Sequence, residues 1–249
     1  MKAKPSIKKK INTTGSLYVC ATPIGNLEDC SFRLIETLNS ADLIASEDTR
    51  TTGLLLKHFS IKTKLLSLEK YNEGKRIPFI LDLLEQGNNI ALVSEAGTPN
   101  ISDPGAFLIR RAHEQGFTII PVPGASSITA LISVSGILAN QFYFAGFLSK
   151  KSSARKKLFD AALLLDCPIC FFESAKRLLA TLNWLADHYE ISECAVGKEL
   201  TKRYETIITG SLSEIKEKLK AITIKGEWCI VIRINLQNQS HTASIFSNE

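Results

Sequence analysis

Short apolar runs along the chain are separated by segments whose apolar positions recur every three to four residues. This pattern predicts buried strands alternating with amphipathic helices. Residues 17–21 (LYVCA), 43–45 (LIA), 90–93 (IALV) and 117–122 read as strands. A first helix is expected after Asp29 or Ser31, with Phe32, Ile35 and Leu38 on its apolar face. A second starts within residues 46–50 (SEDTR), and a third runs over 73–86 and stops at Gly87. Asp103 and Pro104 read as the opening of a fourth helix, with Asp103 as its N-cap and Pro104 at the first helical position, where a missing N–H costs nothing. Continuous apolar strands joined through helices predict a mainly parallel sheet covered on both faces. Ligands of such sheets sit beyond the carboxyl ends of the strands. Three strands here end in loops rich in Gly, Pro, Ser and Thr, at residues 22–26, 94–99 and 123–127. Each alone is only a turn, but three at one end of a sheet would make a site.

The second half has a different texture. Residues 142–147 (FYFAGF) form an aromatic strand, followed by a helix through Leu165. Residues 168–172 read as a strand ending in Glu173 and Ser174, with Ser174 capping a helix whose stripe is Leu178, Leu182, Leu185 and Tyr189. Strands follow at 194–197, 204–208 and 228–234. In the last, Trp228, Ile230, Ile232 and Ile234 alternate with Cys229, Val231 and Arg233, a half-buried pattern. The expected fold class is α/β in two domains, residues 14–124 with a mainly parallel sheet and 125–236 with a mixed one. A basic tail over 1–13 and a polar tail over 237–249 flank them.

Charge sharpens this picture. The 249 residues carry a net charge of +5, and Lys2, Lys4, Lys8, Lys9 and Lys10 account for all of it, leaving residues 11–249 balanced. A neutral body binds nucleic acid only where its cations cluster. Lys150, Lys151, Arg155, Lys156 and Lys157 form such a cluster; its plainer meaning is a solvated helix start. No apolar run reaches the ~18 residues of a membrane span, and the basic N-terminus lacks the apolar core of a secretory signal, so a cytoplasmic protein is expected. Cys167 and Cys170 have metal-ligand spacing, but no second such pair or histidine cluster accompanies them, and no metal is expected.

The chain has no GxxxxGK[ST], no GxGxxG after the first strand, no GxSxG and no HExxH. Its loops lack the lysine and arginine of a polyphosphate site, which favours a nucleoside-like cofactor over ATP. Residues 16–26 (SLYVCATPIGN), 42–56 (DLIASEDTRTTGLLL), 90–105 (IALVSEAGTPNISDPG), 146–148 (GFL), 171–179 (FFESAKRLL) and 197–205 (GKELTKRYE) closely resemble the small-subunit ribosomal RNA methyltransferase I family of the tetrapyrrole-methylase superfamily. The resemblance runs from about residue 15 to 234. It implies S-adenosylmethionine-dependent 2′-O-methylation of a decoding-centre cytidine in 16S rRNA of the small ribosomal subunit. It further implies two α/β domains with the cofactor in the cleft between them, and a homodimer. Transferred residue by residue, the cofactor contacts are Pro23, Gly25, Glu95, Ala96, Gly97, Thr98, Ser126, Ser127, Phe172 and Glu173. Departures are Glu95 where aspartate is frequent, no histidine within residues 68–73, a 123–127 loop one residue shorter, and no further C-terminal segment.

Methyl transfer from a sulfonium to an oxygen is an in-line displacement that depends on alignment. A ribose hydroxyl is a poor nucleophile, so a base adds roughly 10²–10⁴-fold. Glu47, Asp48, Glu95 and Glu199 are the candidates, Lys198 and Lys202 are alternatives for stabilising an alkoxide, and Arg50 for holding an RNA phosphate. The EDTR run reads equally as a capped helix start with a local ion pair. The five-cation cluster at 150–157 is the expected RNA contact. Two other function classes stay open: a tetrapyrrole-type small-molecule methyltransferase, and a non-catalytic RNA-binding protein of the same fold.

Overall fold

The computed structural model describes residues 14–235; the two tails lie outside them. Two compact units divide the chain, the first holding residues up to Pro23 and Leu27–Ala125, the second Ile24–Asn26 and the residues from Ser126.

In the first unit, β1 (Ser16–Cys20), β2 (Leu43–Ser46), β3 (Leu65–Ser67), β4 (Ile90–Val93) and β5 (Thr118–Val122) form one sheet in the order β3-β2-β4-β1-β5. Every pairing in it is parallel. The helices are α1 (Phe32–Ser40), α2 (Thr49–His58), α3 (Glu73–Glu85) and α4 (Ala106–Glu114). All four residues of β4 are buried and divide between two cores. Ile90 and Leu92 join Leu17, Ile80, Leu84 and Leu108 on one face. Ala91 and Val93 join Cys20, Leu34, Leu38, Ile44 and Leu56 on the other. Each fully buried Leu or Ile contributes ~1.5–3 kcal/mol, and because both faces collect such residues the strand needs no polar side. β3 went unread because three half-buried residues carry no periodicity.

Two helix starts differ from expectation. Ser31 caps α1 by accepting the Leu34 N–H at 3.0 Å, but the buried face is Leu34, Thr37 and Leu38, and Phe32 is 93% exposed. Asp103 caps nothing. α4 starts at Ala106 after Gly105, with no side-chain cap, because Asn100 (φ 70°), Ser102 (φ 68°) and Gly105 (φ 121°) hold the segment in left-handed turns that a helix cannot use.

In the second unit, β6 (Tyr143–Phe147), β7 (Ile169–Ser174), β8 (Ile191–Lys198), β9 (Thr206–Gly210) and β10 (Glu227–Ile234) form a sheet in the order β6-β7-β10-β8-β9. Only β6 and β7 pair in parallel. Its helices are α5 (Ser127–Ser135), α6 (Ser152–Leu163), α7 (Leu178–His188) and α8 (Leu212–Lys220). β10 is central, and buried on both faces rather than one. Trp228, Ile230 and Ile232 enter the main core with Phe171, Leu182 and Leu185, while Cys229 and Val231 are buried on the face where α5 packs on β10 and β8. Ser174 does not cap α7, whose N-cap is Arg177. All six cysteines are free. Among the described residues no group of three or more His, Cys, Asp or Glu could hold a metal, and no helix is long and apolar enough to cross a membrane.

Candidate functional site

Parallel pairing puts the carboxyl ends of β1, β2, β4 and β5 along one edge of the first sheet. The loops leaving that edge are tied together by backbone. The Thr22 N–H donates to the Gly97 carbonyl at 2.8 Å, and the Gly97 N–H returns a bond to the Thr22 carbonyl at 3.1 Å. The buried Ser94 hydroxyl also donates to the Gly97 carbonyl, at 3.3 Å. Gly97 (φ 81°) takes a conformation that a side chain would strain. A Cβ on Gly124 would stand 3.0 Å from the Ala21 carbonyl oxygen, so the β5 loop too lies flat against the β1 end. Glu95 and Ala96 are exposed, and Pro23 and Thr98 half-buried.

The same edge gathers acids. Glu47 accepts the Glu95 backbone N–H at 3.4 Å. Burial raises its pKa, as do the charges of Glu95, Asp48 and Glu69, against that one hydrogen bond. The Asp103 carboxyl is pushed up to about 6 by burial and then by the charge of Glu47, with the Ser94 hydroxyl pulling the other way. A carboxylate from a segment over fifty residues away thus opposes the ionisation of Asp103. Asp48 differs. It accepts two bonds from the Arg50 side chain at 2.9 and 3.2 Å and one from the Arg50 N–H at 2.8 Å. It also caps α2, and these bonds hold its pKa at about 2. Asp48 and Arg50 therefore form the local ion pair at a helix start, and a carboxylate held that low is a weak base.

In the second unit, Ser126 is the N-cap position of α5 without a side-chain cap bond, and Ser127 follows it, both half-buried. Phe172 packs edge-on to Phe144 at 5.1 Å and near Phe147 at 5.4 Å. Glu173, next along β7, faces the opposite side of the sheet. Its carboxylate accepts the Thr181 hydroxyl at 2.7 Å and the Ser174 N–H at 2.8 Å, with the Arg177 guanidinium 3.2 Å away. Its side chain is fully buried and its carboxylate is bonded within the unit, so Glu173 anchors the join of β7 to α7.

Glu199 occupies a strained loop. It and Thr201 have φ of 49° and 65°, and the Thr201 hydroxyl is buried without a hydrogen-bond partner. Glu199 accepts the Glu227 N–H at 2.9 Å and the Lys202 ammonium at 3.3 Å, and Lys202 also bonds Glu227 at 2.7 Å. Burial opposes ionisation of Glu199, but these partners outweigh it and lower its pKa. Lys198 donates to the Thr223 carbonyl at 2.8 Å. The Lys202 stem lies so close to Gly25 that any side chain there would collide with it. Glu199 and Lys202 thus clamp this loop.

The basic cluster divides. The Lys156 ammonium pairs with Asp160 at 2.7 Å, and the Arg155 guanidinium stacks 4.5 Å over Trp184. Lys150, Lys151 and Lys157 are exposed and make no ion pair among the described residues. Asp103, read from the chain as a helix N-cap, lies ahead of the start of α4 and is held by burial near Ser94. Its only signal was the charge of a loop otherwise built of Gly, Pro, Ser and Thr.

Residues 16–216 match the family model described as tetrapyrrole (corrin/porphyrin) methylases. The chain is 42% identical over 220 residues to a ribosomal RNA small subunit methyltransferase I of Neisseria meningitidis, covering 88% of this chain and 76% of the relative. It is also 42% identical over 233 residues to the protein of that name in Streptococcus pyogenes, covering 93% and 80%. The crystal structure of diphthine synthase superposes with a TM-score of 0.68 at 14% identity, over 88% of this chain and 90% of that one, which is a likeness of fold. The chain belongs to the ribosomal RNA small subunit methyltransferase I family, within the tetrapyrrole methylases.

Proposed function

We propose that this protein transfers a methyl group from S-adenosylmethionine to the 2′-hydroxyl of a decoding-centre cytidine in 16S rRNA, acting on the small ribosomal subunit in the cytoplasm as a homodimer. The observation that carries this reading is the identity of about 42% to relatives named for small-subunit rRNA methylation, extending over most of both chains. The residues present suit the cofactor. The carboxyl edge of the first sheet offers the half-buried Glu47 and the exposed Glu95 to a sulfonium and an ammonium, beside backbone that Thr22 and Gly97 hold in place. When bound, S-adenosylmethionine supplies the electrophilic methyl. Pro23, Gly25, Glu95, Ala96, Gly97, Thr98, Ser126, Ser127 and Phe172 are the proposed contacts, several through backbone groups of the kind that Thr22 and Gly97 hold in place.

For the acceptor side we assign the proton-accepting role to Asp103, with Glu47 tuning it. A carboxylate raised to about 6 by burial and by Glu47 is a stronger base than Asp48 and still largely ionised at neutral pH. Glu199 and Asp48 are positioning residues in this assignment. Incubating the protein with labelled S-adenosylmethionine and small subunits lacking the modification, then mapping ribose methylation, tests the reading. Label at a single 2′-O-methylcytidine is expected. Label on a base, on protein or on a tetrapyrrole alone would overturn it.

A further inference from the structure

An open pocket of about 540 Å³ lies within the second unit. Its wall carries Lys150, Arg155, Lys176 and Arg177 and no carboxylate. Lys176 and Arg177 were not among the cations that the sequence pattern singled out, because they stand some twenty residues beyond the 150–157 cluster. The fold brings the two groups together, since the loop after β6 and the loop after β7 leave neighbouring parallel strands.

One of these cations is already neutralised. Arg177 donates to the Leu148 carbonyl at 2.8 Å and faces the buried Glu173 at 3.2 Å, which ties the two loops into one wall. The side chains of the other three make no ion pair or hydrogen bond among the described residues. The Arg155 stack on Trp184 fixes the plane of its guanidinium, and Trp184 is itself held by its indole N–H donating to the Ser152 hydroxyl at 2.7 Å. A guanidinium so held loses little freedom on meeting an anion.

The helix ends add to this field. Lys150 and Lys151 precede α6, and Lys176 and Arg177 precede α7, and neither helix has a side-chain cap. Cations at helix N-termini oppose the macrodipole, whose positive end favours an anion there. Three unneutralised cations and an uncapped helix start, with Ala180 of its first turn in the pocket wall, form an arrangement that an incoming anion relieves. The volume exceeds that of a phosphate group and admits a sugar–phosphate segment.

We propose that this pocket takes a backbone phosphate of the RNA substrate. The inference rests on the RNA reading above and narrows it: the RNA contact is the pocket of Lys150, Arg155 and Lys176, not the whole of residues 150–157. Lys156, paired with Asp160, is excluded from it.

The test is the salt dependence of small-subunit binding by K150Q/K176Q, beside K62Q/K64Q, which removes the same charge from the first unit. The pocket pair should weaken binding at least tenfold at low salt. It should flatten the slope of log K against log salt by about 0.7–0.9 for each phosphate left without its cation. Affinity for S-adenosylmethionine should not change, and K150R/K176R should restore binding, which separates charge from folding. Equal losses in the pocket pair and in K62Q/K64Q would overturn the proposal. So would a result in which inorganic phosphate raises the melting temperature of the native protein, while the pocket pair loses that shift and still binds subunits normally, since the site would then serve free phosphate. Failure of the native protein to bind small subunits would instead reject the RNA reading itself.

Discussion

Asp103 gains its properties from residues far away in the chain. Its pKa of about 6, against 3.8 for a free aspartate, means that the fold prefers its protonated form. The sign follows from linkage. Stability is full below about pH 4 and is lost as pH rises through about 6, so at neutral pH the native protein carries the cost of a charged, half-buried carboxylate. Asp103→Asn is expected to be more stable than the native chain at pH 7.5, by roughly 1–2 kcal/mol after discounting for solvent that still reaches the group. At pH 4 the two should melt alike. Its methylation rate should fall by about 10²–10⁴-fold and lose the rise with pH near 6. Wild-type turnover with the same pH profile would remove Asp103 from the acceptor role. Reading the chain placed Asp103 at a helix start because Asp-Pro is how many helices open. The Asp-Pro pair itself does not distinguish that from an aspartate facing the charge of Glu47, whereas Asp48, whose partner Arg50 is two residues away, was legible as a local ion pair.

Elements were legible in proportion to how far their own residues decide them. β4 is four apolar residues in a row, and α7 carries its stripe at Leu178, Leu182 and Leu185, so both follow from pattern alone. α8 went unread because lysines and glutamates hide a three-residue stripe of Leu212, Ile215 and Leu219. Its start is nonetheless encoded locally: Ser211 and Glu214 form a reciprocal capping box, and Ser211→Ala should cost about 1 kcal/mol in a urea melt. β10 was misjudged for a tertiary reason, since the small Cys229 and Val231 become buried only because α5 lies over them. The join of β7 to α7 depends on polar pairing inside the core. Thr181→Val leaves the Glu173 carboxylate one donor short in a place water does not reach, and should destabilise the protein by about 2 kcal/mol. A change in unfolding free energy below roughly 0.5 kcal/mol would show that Arg177 and the Ser174 N–H satisfy Glu173 on their own.

Across the whole molecule, residues 1–10 account for the net charge of +5 and residues 11–249 are balanced, while four cations meet at one pocket. These two sources of attraction act over different ranges. Five lysines on one terminal segment raise the rate of encounter with polyanionic RNA, an effect that fades once the Debye length falls below ~10 Å near 0.1 M salt. A phosphate seated among Lys150, Arg155 and Lys176 instead slows departure, because dissociation must separate charges at contact. Deleting residues 2–10 brings the net charge to zero and should lower the association rate for small subunits at 20 mM salt several-fold, leaving the dissociation rate within about twofold. K150Q/K176Q should do the reverse, raising the dissociation rate with a smaller effect on association. Stopped-flow measurements at 20 and 300 mM salt separate the two, and the association rates of native and truncated protein should converge at the higher concentration. If the deletion instead raises the dissociation rate more than the pocket substitutions do, the terminal lysines grip the RNA directly and the folded pocket is secondary.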